Sequence, residues 1–175
     1  RRGKPLPRTA AWRCIAMGPP PAEPGAHAAG GLLYGALNHA AGVGWLARVG
    51  VAAGGTAARM LAHVKVTPHR LTSVALSADG VIVAAGTNEG EVVLLQASSL
   101  QRLLKLQEHQ MYVSVLLLTP PDAAGCYAAI SCSTNDAKVT RIRKEQLAPP
   151  ALSGKALWAG VLALLVLLLA ALMAR

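Results

Sequence analysis

The feature that most constrains this chain is an internal repeat. The segment Thr87–Leu95, TNEGEVVLL, returns without a gap as TNDAKVTRI at Thr134–Ile142, an offset of 47 residues. His69 and His109 open the two units at an offset of 40, and the difference of seven falls in the loop TPPDAAG from Thr119 to Gly125. Loops on a surface tolerate such insertions. Around these anchors run short β-branched segments separated by turn residues, the pattern of successive short strands. It places strands at Leu71–Leu76, Val81–Gly86, Glu91–Gln96, Gln101–Leu106, Val113–Leu118, Ala128–Ser133 and Lys138–Ile142. Ser77-Ala78-Asp79-Gly80 and Asn88-Glu89-Gly90 supply the Gly and Asx chemistry that tight turns need.

A period near 40 with four strands per unit is the signature of a propeller blade, which buries its faces only against neighbouring blades. The expected fold class is therefore all-β: a partial WD-repeat β-propeller, its last one to two blades, with a C-terminal transmembrane helix. The expected organisation is a trailing strand of an earlier blade in residues 1–16 and an Ala/Gly/Pro-rich insertion or linker over 17–60. Within that linker, Leu32–Leu46 has some helical character. Blades follow over 61–143, then a juxtamembrane linker over 144–155 and the membrane helix over 156–174. Two blades do not close a ring, so the remaining blades are expected upstream of Arg1, a start that is not Met.

Ala156–Ala174 contains nineteen consecutive residues without a charge or strong polar group. As a helix it spans about 28 Å, close to the hydrocarbon core of a bilayer. Its eight Leu and two Val favour insertion, by about 3 to 6 kcal/mol in all. Leu157, Val161, Leu165, Leu168 and Leu172 form the lipid-facing anchor, and Trp158 stands where an indole prefers the interface. Arg141, Arg143, Lys144 and Lys155 precede the span, whereas only Arg175 follows it. The positive-inside rule then keeps residues 1–155 cytosolic on a single-pass protein. The cluster Arg141-Ile142-Arg143-Lys144 reads either as an attraction for anionic lipid or as a plain determinant of topology, and the second reading is preferred.

Composition narrows the function classes. Apolar residues make up 53% of the chain, with no Phe and 3% aromatics, so any core is aliphatic. The net charge of +9 is scattered, without interleaved aromatics or a nucleic-acid-binding motif, and no nucleic acid is expected as a partner. Cys14, Cys126 and Cys132 are odd in number and lack ligand spacing, which argues for a reducing compartment over a disulfide framework or zinc site. Cys126 and Cys132 with His109 lack an orienting acid or oxyanion motif, and Cys132 reads as a small buried hydrophobe. His63 and His69 are six apart around Pro68, a spacing with no place in a metal site. His69 and His109 read as blade-opening residues that hydrogen-bond within a sheet, and Asp79, Asp122 and Asp136 as turn residues. No catalytic, cofactor-binding or metal-ligating residue is assigned.

The stretch LTSVALSADGVIVAAGTNEGEVVLLQASSLQRLLKLQEHQMYVSVLLLTP, followed by AAISCSTNDAKVTRIR and the apolar run, resembles the C-terminal part of a known family. These are the endoplasmic-reticulum WD-repeat exchange factors of the COPII small GTPase, the family of the animal prolactin regulatory element-binding protein and its plant relatives. The resemblance covers residues 61–175. It lacks a Trp-Asp dipeptide, and Val113-Ser114 stands where the family has Val-Thr. It implies location in the endoplasmic-reticulum membrane, the COPII small GTPase as partner, no cofactor of its own, and displacement of GDP for vesicle formation toward the Golgi. The family places its catalytic loop in N-terminal blades, so no catalytic residue carries over. The alternative function is a membrane-anchored WD-repeat interaction scaffold without exchange activity.

Overall fold

The computed structural model of the chain describes residues 9–18 and 31–147. These form eleven strands in three antiparallel sheets, each sheet running in simple sequence order. The first sheet joins β1 (Ala10–Gly18), β2 (Leu32–His39), β3 (Gly44–Val51) and β4 (Ala58–Thr67). The second joins β5 (Leu71–Leu76), β6 (Ile82–Thr87), β7 (Glu91–Gln96) and β8 (Arg102–Gln107). The third has β9 (Val115–Leu118), β10 (Tyr127–Cys132) and β11 (Ala137–Ile142). We call these sheets blades 1, 2 and 3.

The blades stack face to face, with β5 packed against β1 and β2 on one side and against β9 on the other. This all-β arrangement of antiparallel meanders fits a partial β-propeller. Blade 2 is the middle layer, and its central strands are apolar on both faces for that reason. Val83, Ala85, Val93 and Leu95 point toward Tyr34, Ala36 and Leu46 of blade 1. Ile82, Ala84, Val92 and Leu94 point toward Leu116, Leu118 and Ala129 of blade 3. The alternation is the ordinary two-residue period of a strand, here with a buried layer on each side.

Blade 1 corrects the reading of residues 1–60. The stretch read as an insertion or linker carries β2, β3 and the start of β4, and Leu32–Leu46 is a β-hairpin with no helix in it. Apolar residues on both faces of β2 hide the two-residue period, because Leu33 and Leu37 line one side while Tyr34 and Ala36 line the other. The hairpin turns at Gly42, with φ +86°, closed by the His39 N–H on the Val43 carbonyl at 2.9 Å. The strand read as the tail of an earlier blade is instead the first strand of blade 1, paired with β2 along its length. The blade boundary set at residue 61 falls inside β4.

Elsewhere strand positions shift only at their ends. β9 begins at Val115 because Val113 is used by blade 2: its N–H donates to the Thr87 carbonyl at 2.9 Å, and its carbonyl accepts the Thr72 hydroxyl at 2.6 Å and the Ser73 hydroxyl at 3.2 Å. Among the described residues no helix is long and apolar enough to cross a membrane. The expected anchor at residues 156–174, with Leu157, Trp158, Val161, Leu165, Leu168 and Leu172, lies outside the described residues, as does Lys155.

Candidate functional site

The richest polar constellation is built where the chain crosses from blade 2 to blade 3. Gly90, in the β6–β7 turn at φ +78°, brings its backbone against the crossing segment, and a Cβ there would meet the His109 carbonyl oxygen at 2.0 Å. The Gly90 carbonyl accepts the N–H groups of Glu108 and His109, each at 3.1 Å. The Gln107 amide donates to the carbonyls of Glu89 at 2.8 Å and His109 at 3.0 Å. Only glycine combines that φ with that close approach.

So held, the His109 ring turns into blade 3. Its Nδ1 lies 2.7 Å from Asp136 Oδ1, and its Nε2 lies 2.9 Å from Ser131 Oγ. A carboxylate only accepts, so Nδ1 carries the proton and, in the neutral ring, Nε2 accepts from the serine hydroxyl. The three side chains reproduce the connectivity of a Ser-His-Asp triad. Burial decides against that chemistry: Ser131 is 1% exposed and lies in β10, which is paired with both β9 and β11. An acyl group has no route to its oxygen, and a triad is defined by roles as well as distances. The trio is a buried staple that ties the crossing segment to the centre of blade 3 and to its β10–β11 turn.

An open cleft of about 450 Å³ lies beside this staple, between the crossing segment and the β10–β11 turn. Asp136 lines it with its side chain 47% exposed. The Lys138 ammonium also lines it and donates to the Glu108 carbonyl, while the Glu108 carboxylate accepts the Thr140 hydroxyl at 2.9 Å.

Two further junctions cross the blades. Asp79, in the β5–β6 turn, accepts the Ser77 hydroxyl at 2.6 Å, the Val81 N–H at 3.1 Å and the Tyr127 hydroxyl of blade 3 at 2.5 Å. Burial alone would raise its carboxyl pKa, but these hydrogen bonds outweigh it and hold Asp79 below its ordinary range. Burial and the bond to Asp79 push Tyr127 up to about 12. Between blades 1 and 2, the Asn38 side chain brackets Leu71, donating to its carbonyl at 2.7 Å and accepting its N–H at 2.8 Å. Tyr34 donates to the Ala97 carbonyl at 3.2 Å, and Arg48 reaches the Ser98 carbonyl.

The residues singled out in the sequence divide accordingly. His109 hydrogen-bonds within a sheet as expected, but the His69 ring makes no hydrogen bond among the described residues; the His69 backbone N–H donates to Thr67 Oγ1 at 3.3 Å. Asp79, Asp122 and Asp136 all sit in turns, and each also fastens its turn to another segment. Cys132, read as a small buried hydrophobe, is only partly buried, on the face of blade 3 that carries exposed Val115 and Leu117. Of the cations read as setting topology, Arg141 pairs with Asp122 at 2.6 Å, and Arg143 and Lys144 are exposed where the chain leaves β11. Sequence reasoning missed Glu91, 6% exposed, whose carboxylate takes the Lys105 ammonium at 2.6 Å. Among the described residues no group of three His, Cys, Asp or Glu side chains is placed to hold a metal ion.

Neither a protein-family model nor a curated protein matches this sequence. Among solved structures, the WD40 repeats of RRP9 are similar at a TM-score of 0.44 and 16% identity, over 66% of this chain and 36% of that one. A chain of a mitotic checkpoint complex is similar at a TM-score of 0.40 and 17% identity, over 75% of this chain and 39% of that one. This chain thus spans well under half the length of either.

Proposed function

We propose that this chain is part of a membrane-anchored WD-repeat protein that works by binding other proteins, and that the complete protein loads the COPII small GTPase at the endoplasmic reticulum. The observation that carries the binding reading is the character of the polar sites. Their most reactive-looking member, Ser131, is sealed inside a sheet, while the exposed carboxylates and amides lie on the segment crossing between blades 2 and 3 and on the β10–β11 turn, surface connections of the kind that carry binding. The finer reading is supported by the resemblance of residues 61–175 and by the apolar run that follows the last strand. Exchange in this reading is a difference in affinity between the nucleotide-bound and nucleotide-free GTPase, with no covalent step. The anchor raises the local concentration of the platform at the bilayer.

Carbonate-washed membranes test the anchor: the full chain is expected in the pellet, and deletion of residues 156–175 is expected to release it. Retention of the deleted form would overturn the single-pass anchor. Exchange is read as release of fluorescent GDP from the purified GTPase. The protein carrying the family's N-terminal blades is expected to accelerate release, and residues 1–175 alone are not. Acceleration by residues 1–175 would move the exchange surface into these blades. Failure of the longer protein, with membrane retention intact, would leave the interaction scaffold.

A further inference from the structure

We propose that the cleft beside Asp136 is a receptor for an arginine side chain presented by a partner's extended peptide. This goes beyond the reading above and rests on neither the anchor nor nucleotide exchange. The argument begins with the staple. His109 holds Asp136 through Oδ1 alone, and among the described residues Oδ2 accepts no hydrogen bond. The ring doing the holding is 3% exposed and is itself fixed by Ser131, so the carboxylate is oriented by a buried, fully bonded chain while its second oxygen remains free. A preorganised carboxylate loses little entropy when it takes a cation.

Further acceptors share the cleft. Gln107 uses its amide N–H groups on the Glu89 and His109 carbonyls, leaving its Oε1 unbonded among the described residues. Glu108 accepts Thr140 through Oε1 only, and the Asn135 side chain makes no hydrogen bond among the described residues. Several acceptors around one carboxylate suit the five fixed donors of a guanidinium better than a compact ammonium. Met111, 48% exposed, offers an apolar wall for the arginine stem. The opposing charge is Lys138, whose ammonium lines the cleft and is tethered to the Glu108 carbonyl.

The test is a titration of the ¹⁵N-labelled full chain in detergent micelles with acetyl-Gly-Arg-Gly-amide, against the same peptide carrying uncharged citrulline. Shifts are expected at amides of residues 107–111 and 133–138 with the arginine peptide. The citrulline peptide is expected to bind about tenfold or more weakly, since hydrogen bonds between charged partners are roughly twice as strong as neutral ones. Asp136→Asn keeps an Oδ1 acceptor for His109 and should weaken arginine binding by a similar factor. Lys138→Gln removes the opposing charge and should tighten it by about two- to threefold. Equal affinity for the two peptides, shifts centred elsewhere, or indifference to Asp136→Asn would overturn the proposal. If Asp136→Asn loses the native spectrum, Lys138→Gln decides, and unchanged or weaker binding of the arginine peptide then overturns it.

Discussion

Blades 2 and 3 are written on one template and use their hairpin turns differently. The second strands correspond across the 47-residue offset: Val93 and Leu95 of β7 face blade 1, and their counterparts Thr140 and Ile142 of β11 face blade 2. The connections do not correspond. β6 and β7 are joined by residues 88–90 and β10 and β11 by residues 133–136, so the later connection is one residue longer. In blade 2 the side-chain bonds of the short turn are local, with Thr87 Oγ1 accepting the N–H groups of Glu89 at 3.3 Å and Glu91 at 3.0 Å. In blade 3 the longer turn delivers Asp136 onto His109. Both turns hold the crossing segment, the first through the backbone carbonyl of Gly90 and the second through the Asp136 side chain.

That contrast can be broken from either side. The largest effect is expected from Gly90→Val, which places a side chain against the His109 carbonyl at a positive φ. It should cost about 4 kcal/mol or more in urea unfolding of the full chain, or prevent folding altogether. A loss under about 1 kcal/mol would show that the turn and the crossing segment are not rigidly joined. Next comes His109→Ala, which strands the buried Ser131 hydroxyl and frees Asp136. It should cost about 2–4 kcal/mol, whereas His69→Ala, in the corresponding position of blade 2, should cost about 1 kcal/mol or less. Equal costs for the two histidines would erase the distinction between the blades.

Tyr127→Phe removes the hydroxyl from Asp79 and should cost about 1–2 kcal/mol. The same junction gives a pH signature. Because the Tyr127 pKa is raised in the folded chain, from 10 to about 12, its contribution is complete below pH 10 and disappears as pH rises toward 12. The Asp79 pKa is lowered, so its contribution is present at neutral pH and lost as pH falls through its folded value. Tyr127→Phe should abolish the alkaline loss, and a variant with an unchanged alkaline transition would assign that loss elsewhere. The smallest effect is expected from Asp122→Asn, whose partner Arg141 is 64% exposed and screened by solvent. Its change in urea midpoint should fall within experimental scatter.

Legibility followed the reach of each interaction. The strands of blades 2 and 3 were readable because Asp79-Gly80 and Asn88-Glu89-Gly90 announce their turns locally. Blade 1 was not, since its Gly35 and Ala47 have little strand propensity and its burial is two-sided. What shapes it is contact between residues distant in the chain: Trp12 of the neighbouring strand β1 covers Gly35, where a Cβ would lie 2.0 Å from the indole, and Arg48 reaches across to blade 2. The candidate site was half legible. His109 and Asp136 were each picked out, as a blade-opening residue and a turn residue, but Ser131 went unremarked, and nothing in their spacing joins the three.

The sequence by itself determined the repeat, the strand–turn order of residues 71–142 and the apolar C-terminal run, because periodicity, turn residues and hydropathy act over a few neighbouring positions. Tertiary structure alone decided that residues 10–18 and 32–67 form a further blade, that a Ser-His-Asp trio is a staple with its hydroxyl sealed away, and that only one Asp136 oxygen is engaged by His109. Those outcomes depend on which layer covers which face. Residues distant along the chain meet only after the sheets have stacked, and no local pattern encodes that meeting.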